Sequence, residues 1–171
     1  DKITFPKKII IESIRFFFFV YKNSMRSHKS KKNRTDSIMI RPLDQLEKAF
    51  FNPVAQNDIY FSIKFTEKKF VDKAMENFQK LFAGLRLKIK NDSYYKNDQN
   101  NTVHKLPNWI QDCKMANKWA EENICVPISE SLANIAANDR ILVLRSSHVI
   151  SDGGFIIEAC KHVFDDMSNQ S

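Results

Sequence analysis

The sequence predicts an α/β fold in which a mixed β-sheet is flanked by helices. Short apolar stretches with the period of a strand alternate along the chain with longer stretches that have the period of a helix. The last apolar stretch, residues 141–144, leads through a polar segment into a helical pattern, which indicates a buried strand followed by a covering helix. A chain of 171 residues is long enough to bury one such core.

Charge divides the chain into two segments. Residues 1–37 hold ten Lys and Arg against three Asp and Glu, whereas residues 38–171 hold seventeen of each. Within the first segment, the apolar residues 9–21 precede a basic tract at residues 22–34. We expect residues 1–37 to be an extension: a membrane-surface anchor, a buried helix or strand, or sequence that does not belong to the domain. Residues 38–171 are expected to form the folded domain.

Composition argues against several classes of site. The neutral charge of the domain gives no reason to expect nucleic-acid binding. Three cysteines without C-x-x-C spacing are typical of an intracellular, cytoplasmic protein, which could be peripheral on a membrane or lipid-droplet surface if the extension is an anchor. The histidines form no pair with each other or with a cysteine at zinc-ligand spacing, so no metal site is predicted.

The first part of the domain predicts a helix, a strand and a second helix. Pro42 ends an extended stretch, and Asp44 can cap a short helix that reaches about Phe51. Residues 59–65 alternate as a strand with its apolar positions on one face. Residues 67–83 carry a core-facing stripe at helical spacing, formed by Phe70, Val71, Ala74, Met75, Phe78, Leu81 and Phe82.

The next part predicts short strands and two helices. Strands are expected through Leu85, Leu87 and Ile89, at residues 93–96 and at residues 102–106. Residues 111–123 predict a helix and residues 129–137 a short connecting helix. The side chains expected to point inward from the first helix are Cys113, Met115 and Trp119. Three aromatic residues are interpreted as packing residues rather than as the lining of a substrate channel, namely Tyr94, Tyr95 and Trp109.

A motif whose residues could take part in catalysis follows the last predicted strand, namely His148-x-x-x-Asp152-Gly153. A helix is predicted from Phe155, which Asp152 could cap, and Gly153 and Gly154 would allow a tight turn before it. The positive end of that helix favours a neutral imidazole. His148 is therefore a candidate general base at a strand end, where functional residues tend to lie.

The H-x-x-x-D-G signature resembles that of the chloramphenicol-acetyltransferase-like superfamily of CoA-dependent acyltransferases. Residues 38–52, with Arg41-Pro42-Leu43, resemble the opening of its alcohol acetyltransferase branch. Ser147 stands where many members carry a second histidine, which favours this branch over the condensation domains of peptide synthetases.

The resemblance implies a fold and a role for each motif residue. His148 would be the general base, whereas Asp152 and Gly153 would hold the loop in shape. The co-substrate would be acetyl-CoA or another acyl-CoA, with a small alcohol as acceptor and no permanently bound cofactor; no residue is assigned to CoA binding. The implied fold is the N-terminal half of a two-half enzyme, whose partner would be a C-terminal half or a self-associated copy. The chain alone is then expected to show little activity.

Two alternative functions stay open. An amide-forming, condensation-type acyltransferase would use the same base with an amine acceptor, and acceptor assays would distinguish it. A non-catalytic binding or interaction domain derived from this fold would not bind CoA.

Overall fold

The computed structural model describes residues 9–10, 38–50, 58–97, 103–151 and 153–168. Within these ranges the chain is mixed α/β, with two mostly antiparallel sheets flanked by helices. The elements in chain order are β1 (Ile9–Ile10), β2 (Met39–Pro42), α1 (Gln45–Phe50), β3 (Asp58–Phe65), α2 (Lys68–Leu81), a 3₁₀ turn (Ala83–Arg86), β4 (Leu87–Lys90), β5 (Ser93–Lys96), β6 (Val103–Lys105), α3 (Cys113–Asn123), β7 (Ala133–Ala137), β8 (Ile141–Ser147) and α4 (Gly153–Ser168).

The larger sheet has the strand order β1-β3-β8-β7-β6. Strand β8 pairs antiparallel with β3 on one side and with β7 on the other, whereas β6 and β7 are parallel. All seven residues of β8 are buried, as expected for a central strand with both faces covered. The predicted mixed sheet is therefore confirmed for this part of the fold.

Helices cover both faces of the larger sheet. On one face, the alternating residues Ile59, Phe61, Ile63 and Phe65 pack with buried residues of α2 and α4. The predicted apolar face of β3 is thus confirmed. On the other face, Tyr60 and the β8 residues Ile141 and Val143 pack against Ala116 and Ala120 of α3.

The smaller sheet, with the order β2-β5-β4, was not predicted as a separate sheet. Its residues Ile89 and Tyr94 form a third apolar cluster with Leu43 and Leu132. Val149 and Ile150, which follow the motif histidine, pack against this cluster. The smaller sheet therefore lies beside the motif turn.

Two helix starts agree with the sequence. Asp44 Oδ1 accepts a hydrogen bond from Glu47 N at 2.8 Å, and Asp44 N donates to Glu47 Oε2 at 2.8 Å. This reciprocal arrangement is a capping box, and it confirms the predicted cap of α1. At the start of α3, Asp112 Oδ1 accepts from Met115 N at 2.8 Å.

Two side chains that were predicted to be buried are exposed. Leu81 is 48% exposed because α2 ends there and the chain inserts Phe82 instead, which is only 3% exposed. Met115 is 43% exposed because α3 rests on the sheet through its small residues, chiefly Ala116 and Ala120. Both predictions were wrong. Each of these residues lies at the edge of the apolar face of its helix, and the rest of that face was predicted correctly.

Three boundaries also differ from the sequence prediction. Residues 129–137 do not form a helix, because Ala133–Ala137 is the strand β7 between β8 and β6. Here tertiary pairing overrides the helix preference of alanine. Leu85 lies in the 3₁₀ turn rather than in β4, and α4 begins at Gly153, two residues before Phe155.

The N-terminal extension contributes one described element. Ile9 and Ile10 pair antiparallel with Phe65 and Lys64 of β3. Residues 11–37 lie outside the described residues, so the anchor stays a prediction. In the part of the chain that the structure describes, no helix is long and apolar enough to cross a lipid bilayer.

Phe78→Ala should lower the free energy of unfolding by about 3–5 kcal/mol, because it leaves a cavity in the main core. The ring of Phe78 is fully buried and contacts Phe82 edge to face, with 6.5 Å between ring centroids. Urea unfolding measures the change. Leu81→Ala, on the same helix but exposed, is the control and should change stability by less than about 0.5 kcal/mol. Equal losses for the two variants would contradict this description of α2.

Candidate active site

The motif histidine lies where the central strand leaves the sheet. Ser147 is the last residue of β8 and is 1% exposed, whereas His148 is half-buried and begins a turn over residues 148–150. Asp152 lies outside the described residues, so its predicted capping role stays a prediction. Gly153 and Gly154 have helical backbone as the first two residues of α4. The sharp change of direction therefore occurs immediately at the histidine, before the glycines.

Serine hydroxyls hold the turn that carries His148. Ile150 N donates to Ser147 O at 3.2 Å, and Ser151 Oγ donates to the same carbonyl at 3.2 Å. Ser151 Oγ also lies 2.6 Å from Ser146 Oγ. Because each hydroxyl has one proton, Ser146 must donate to Ser151 when Ser151 donates to the carbonyl. This chain of hydrogen bonds, which no pattern in the sequence predicted, ties both ends of the turn to the strand.

A buried ion pair lies beneath the same strand end. Arg145 is completely buried, and its Nη2 donates to Asp58 Oδ1 at 2.8 Å and to Val126 O at 3.0 Å. Its Nη1 donates to Ser131 O at 3.1 Å and to Asn134 Oδ1 at 3.0 Å. One guanidinium therefore connects β3, β7 and β8 with the segment before β7. The signal in the sequence is an arginine inside an otherwise uncharged buried strand.

The half-buried thiol next to this pair has a raised pKa. Cys125 Sγ donates to Asp58 Oδ2 at 3.4 Å. Burial, assisted by the negative charge of Asp58, raises the pKa of Cys125 to about 11. Burial alone raises the pKa of Cys160 to about 12. Both thiols stay protonated at neutral pH, so neither supplies the reactive thiolate that covalent catalysis needs.

A cavity of about 270 Å³ adjoins the turn. Val149 and Ile150 of the turn line it together with Phe155 of α4, although His148 is not among its described lining residues. Gly84 also lines the cavity, where a β-carbon would clash with Ile150 Cδ1 and come within 2.8 Å of Phe82 Cε1. Glycine at this position therefore lets the turn pack closely against the 3₁₀ turn.

The polar wall of the cavity is a fixed cluster of three side chains. Arg41 binds Glu47 through two hydrogen bonds of 2.8 and 2.6 Å. Tyr94 Oη donates to Glu47 Oε1 at 2.9 Å, and the guanidinium lies 4.7 Å from the centroid of the Tyr94 ring. Tyr94 is thus both a packing residue, as predicted, and part of a cavity lining, which was not predicted.

Charges in this wall are stable across the neutral range. The hydrogen bonds from Arg41 lower the pKa of Glu47 to about 2. Burial, followed by the neighbouring Glu47 carboxylate, raises the pKa of Tyr94. The cluster therefore presents an ionised pair and a neutral phenol, and none of these groups is poised to exchange a proton near pH 7.

No family model, curated protein or solved structure matches this chain. The chemistry of the site is therefore inferred from its own residues.

A half-buried imidazole lies at the end of the central strand, and a partly apolar cavity with a polar wall adjoins the turn that follows it. Among the described residues, no group of three His, Cys, Asp or Glu side chains could hold a metal ion.

Removing either partner of the Arg145–Asp58 pair should destabilise the fold by about 3–5 kcal/mol, because the other charge would be left buried and unpaired. Asp58→Asn and Arg145→Met test the two sides by urea unfolding. The double variant should lose less than the sum of the two single losses. Lys68→Met, in a pair with Asp72 whose side chains are more than half exposed, is the control and should leave the melting temperature nearly unchanged. Additive losses would show that the two buried groups do not depend on each other.

Glu47→Gln should lower the melting temperature at pH 7 and make no difference near pH 2. Folding lowers the pKa of Glu47 from 4.5 to about 2. Its contribution to stability is therefore complete above about pH 4.5 and is lost as the pH falls towards 2. Thermal melts between pH 7 and pH 2 measure the difference. The exposed Glu130 provides the control variant Glu130→Gln, which should follow the wild type throughout. A pH-independent difference for Glu47→Gln would contradict the interpretation.

Proposed function

We propose that the chain is a CoA-dependent acyltransferase, or the N-terminal half of one, that moves an acetyl or similar acyl group to an alcohol. The observation that carries the proposal is the position of the motif. His148-x-x-x-Asp152-Gly153 begins where the central, fully buried strand ends and finishes where a helix begins. A general base must be held rigidly, and the hydrogen-bonded turn meets that need.

In the proposed reaction, His148 accepts the hydroxyl proton of the alcohol as its oxygen attacks the thioester carbonyl carbon. The new C–O bond forms and the C–S bond breaks, which releases CoA as a thiolate. The imidazolium then returns the proton to that thiolate, so the histidine ends the cycle neutral. Acyl-CoA is a co-substrate in this scheme, and no permanently bound cofactor is involved.

The cavity beside the turn supports an acceptor of modest size. Its walls near the turn are apolar, through Val149, Ile150 and Phe155, and they suit the hydrocarbon part of a small alcohol. The fixed pair of Arg41 and Glu47 bounds the other side.

A second candidate function is a non-catalytic interaction domain. Strand β2 is at the edge of the smaller sheet. The exposed apolar residue Ile38 precedes it, and its first two residues, Met39 and Ile40, are also exposed. Leu46 on the neighbouring helix is 70% exposed. An apolar edge strand is a common site for the addition of a partner strand, which is the feature that favours this alternative.

His148→Ala should lower the rate of acyl transfer by roughly a hundredfold or more, because a positioned base contributes that much. The assay follows labelled acetyl from acetyl-CoA into a medium-chain alcohol, with the corresponding amine as a second acceptor. His162→Ala is the matched control, since His162 is a histidine of α4 whose side chain is 71% exposed. Circular dichroism melts should show both variants folded.

Three outcomes separate the candidates. Turnover that survives in a folded His148→Ala variant would remove the general base from the proposal. Preference for the amine would replace the ester product with an amide. If the wild-type protein does not bind acetyl-CoA, and neither its self-associated form nor an assembly with a C-terminal half turns over, the interaction domain is the better description.

A further inference from the structure

A second cavity, of about 430 Å³, lies between α3 and β3. It shares no described lining residue with the cavity beside the His148 turn. Its volume lies within the range of about 300–1,000 Å³ that is typical of small-molecule sites. The cavity is thus large enough to hold a ligand of its own.

The unusual member of its lining is Asn117. This side chain is 4% exposed, yet neither Nδ2 nor Oδ1 has a hydrogen-bond partner among the described residues. Two other buried asparagines have side-chain partners: Asn77 donates to Val163 O at 3.2 Å, and Asn134 accepts from Arg145 at 3.0 Å. A buried amide without partners costs free energy, and a native fold retains such a group for a reason.

The rest of the cavity defines the character of a ligand. Tyr60 and Met115 provide apolar surface beside Asn117. The Tyr60 hydroxyl is already engaged with Cys125, so the ring is what this residue offers. Two lysines and two carboxylates also line the cavity and balance each other in charge, namely Lys114, Lys118, Asp112 and Glu121. These features favour a flat, neutral molecule.

The chemistry of the amide specifies the edge that such a molecule must present. Asparagine donates through Nδ2 and accepts through Oδ1 in one plane, which matches a group that carries an acceptor and a donor side by side. Adenine presents that edge, as do lactams such as uracil and primary carboxamides such as nicotinamide; asparagine pairs with adenine in this way in the grooves of DNA.

We propose that the cavity between α3 and β3 binds a flat, neutral molecule through an amide-like edge that forms two hydrogen bonds with Asn117. Tyr60 and Met115 cover the apolar faces of that molecule. The proposal stands independently of acyl transfer at His148.

The test compares pairs of ligands in which one member carries an N–H donor and the other lacks it. Adenosine, uridine and nicotinamide are titrated into the wild-type chain, with binding followed by calorimetry and by ligand-observed NMR. Purine riboside, 3-methyluridine and methyl nicotinate keep the respective flat rings but lack the N–H donor. At least one of the three amide-edged probes should bind, and its analogue without the donor should bind at least tenfold more weakly, because it leaves the buried amide oxygen unpaired.

Substitutions of three asparagines provide a second test of the proposal. Asn117→Leu should abolish binding of the preferred probe and raise the melting temperature by about 2–4 °C, because it removes an unpartnered amide. Asn77→Leu should lower the melting temperature, because it breaks the bond to Val163 O. Asn123→Leu, an exposed position at the end of the same α3 helix, should bind as the wild type does. If Asn117→Leu does not fold, Asn117→Ala replaces it in the binding measurement.

Two results overturn the proposal. One is that none of the three probes binds the wild-type chain. The other is that a probe and its analogue without the donor bind equally well. Both comparisons use the wild-type protein, so a variant that fails to fold does not affect them.

Discussion

The end of the central strand depends on the buried pair of Arg145 and Asp58. A completely buried guanidinium needs partners at fixed places for its five N–H groups, and only Nε of Arg145 lacks one among the described residues. Four of its hydrogen bonds go to Asp58, Val126, Ser131 and Asn134, which belong to two neighbouring strands and to the segment before β7. A slip of one residue in β8 would turn the guanidinium towards the opposite, apolar face and leave it unpaired. The pair therefore fixes the register of the strand that presents His148.

The cavity beside the motif follows from how the two sheets are joined. Leu132 donates its backbone N–H to Leu87 O of the smaller sheet, and Leu132 O accepts from Ser147 N in the larger one. The same junction brings Ile150 against the 3₁₀ turn, where only glycine leaves room for it at position 84. The cavity is the space that stays open between these two contacts. Its position beside Val149 and Ile150 is a consequence of the sheet junction rather than of the motif itself.

Local pattern explains what could be predicted from the sequence. The strand β3, the capping box of α1 and the central strand before His148 all depend on residues that are close in sequence. The strand β7 was missed because its alanines favour a helix, and only pairing on both sides makes it a strand. Contacts between residues that are far apart in the sequence could not be predicted either: Asp58 and Arg145 are 87 residues apart, and Glu47 and Tyr94 are 47 residues apart. Hence the motif was located from the sequence, whereas its supports and the cavity beside it were not.

The pKa shifts of the titratable groups in the cavity wall and the buried pair determine which groups can change charge near neutral pH. Among the groups of the cavity wall and of the buried pair, the shifted pKa values are all driven away from neutrality: Glu47 to about 2 and Cys125 to about 11, with Tyr60 and Tyr94 raised. An imidazole, in contrast, ordinarily changes charge between pH 5 and 8. These groups keep their charge between about pH 5 and 8, so a change in rate over that range does not come from them. A change in acyl-transfer rate near neutral pH would therefore report on imidazole, and the His148→Ala and His162→Ala variants would assign it to one position.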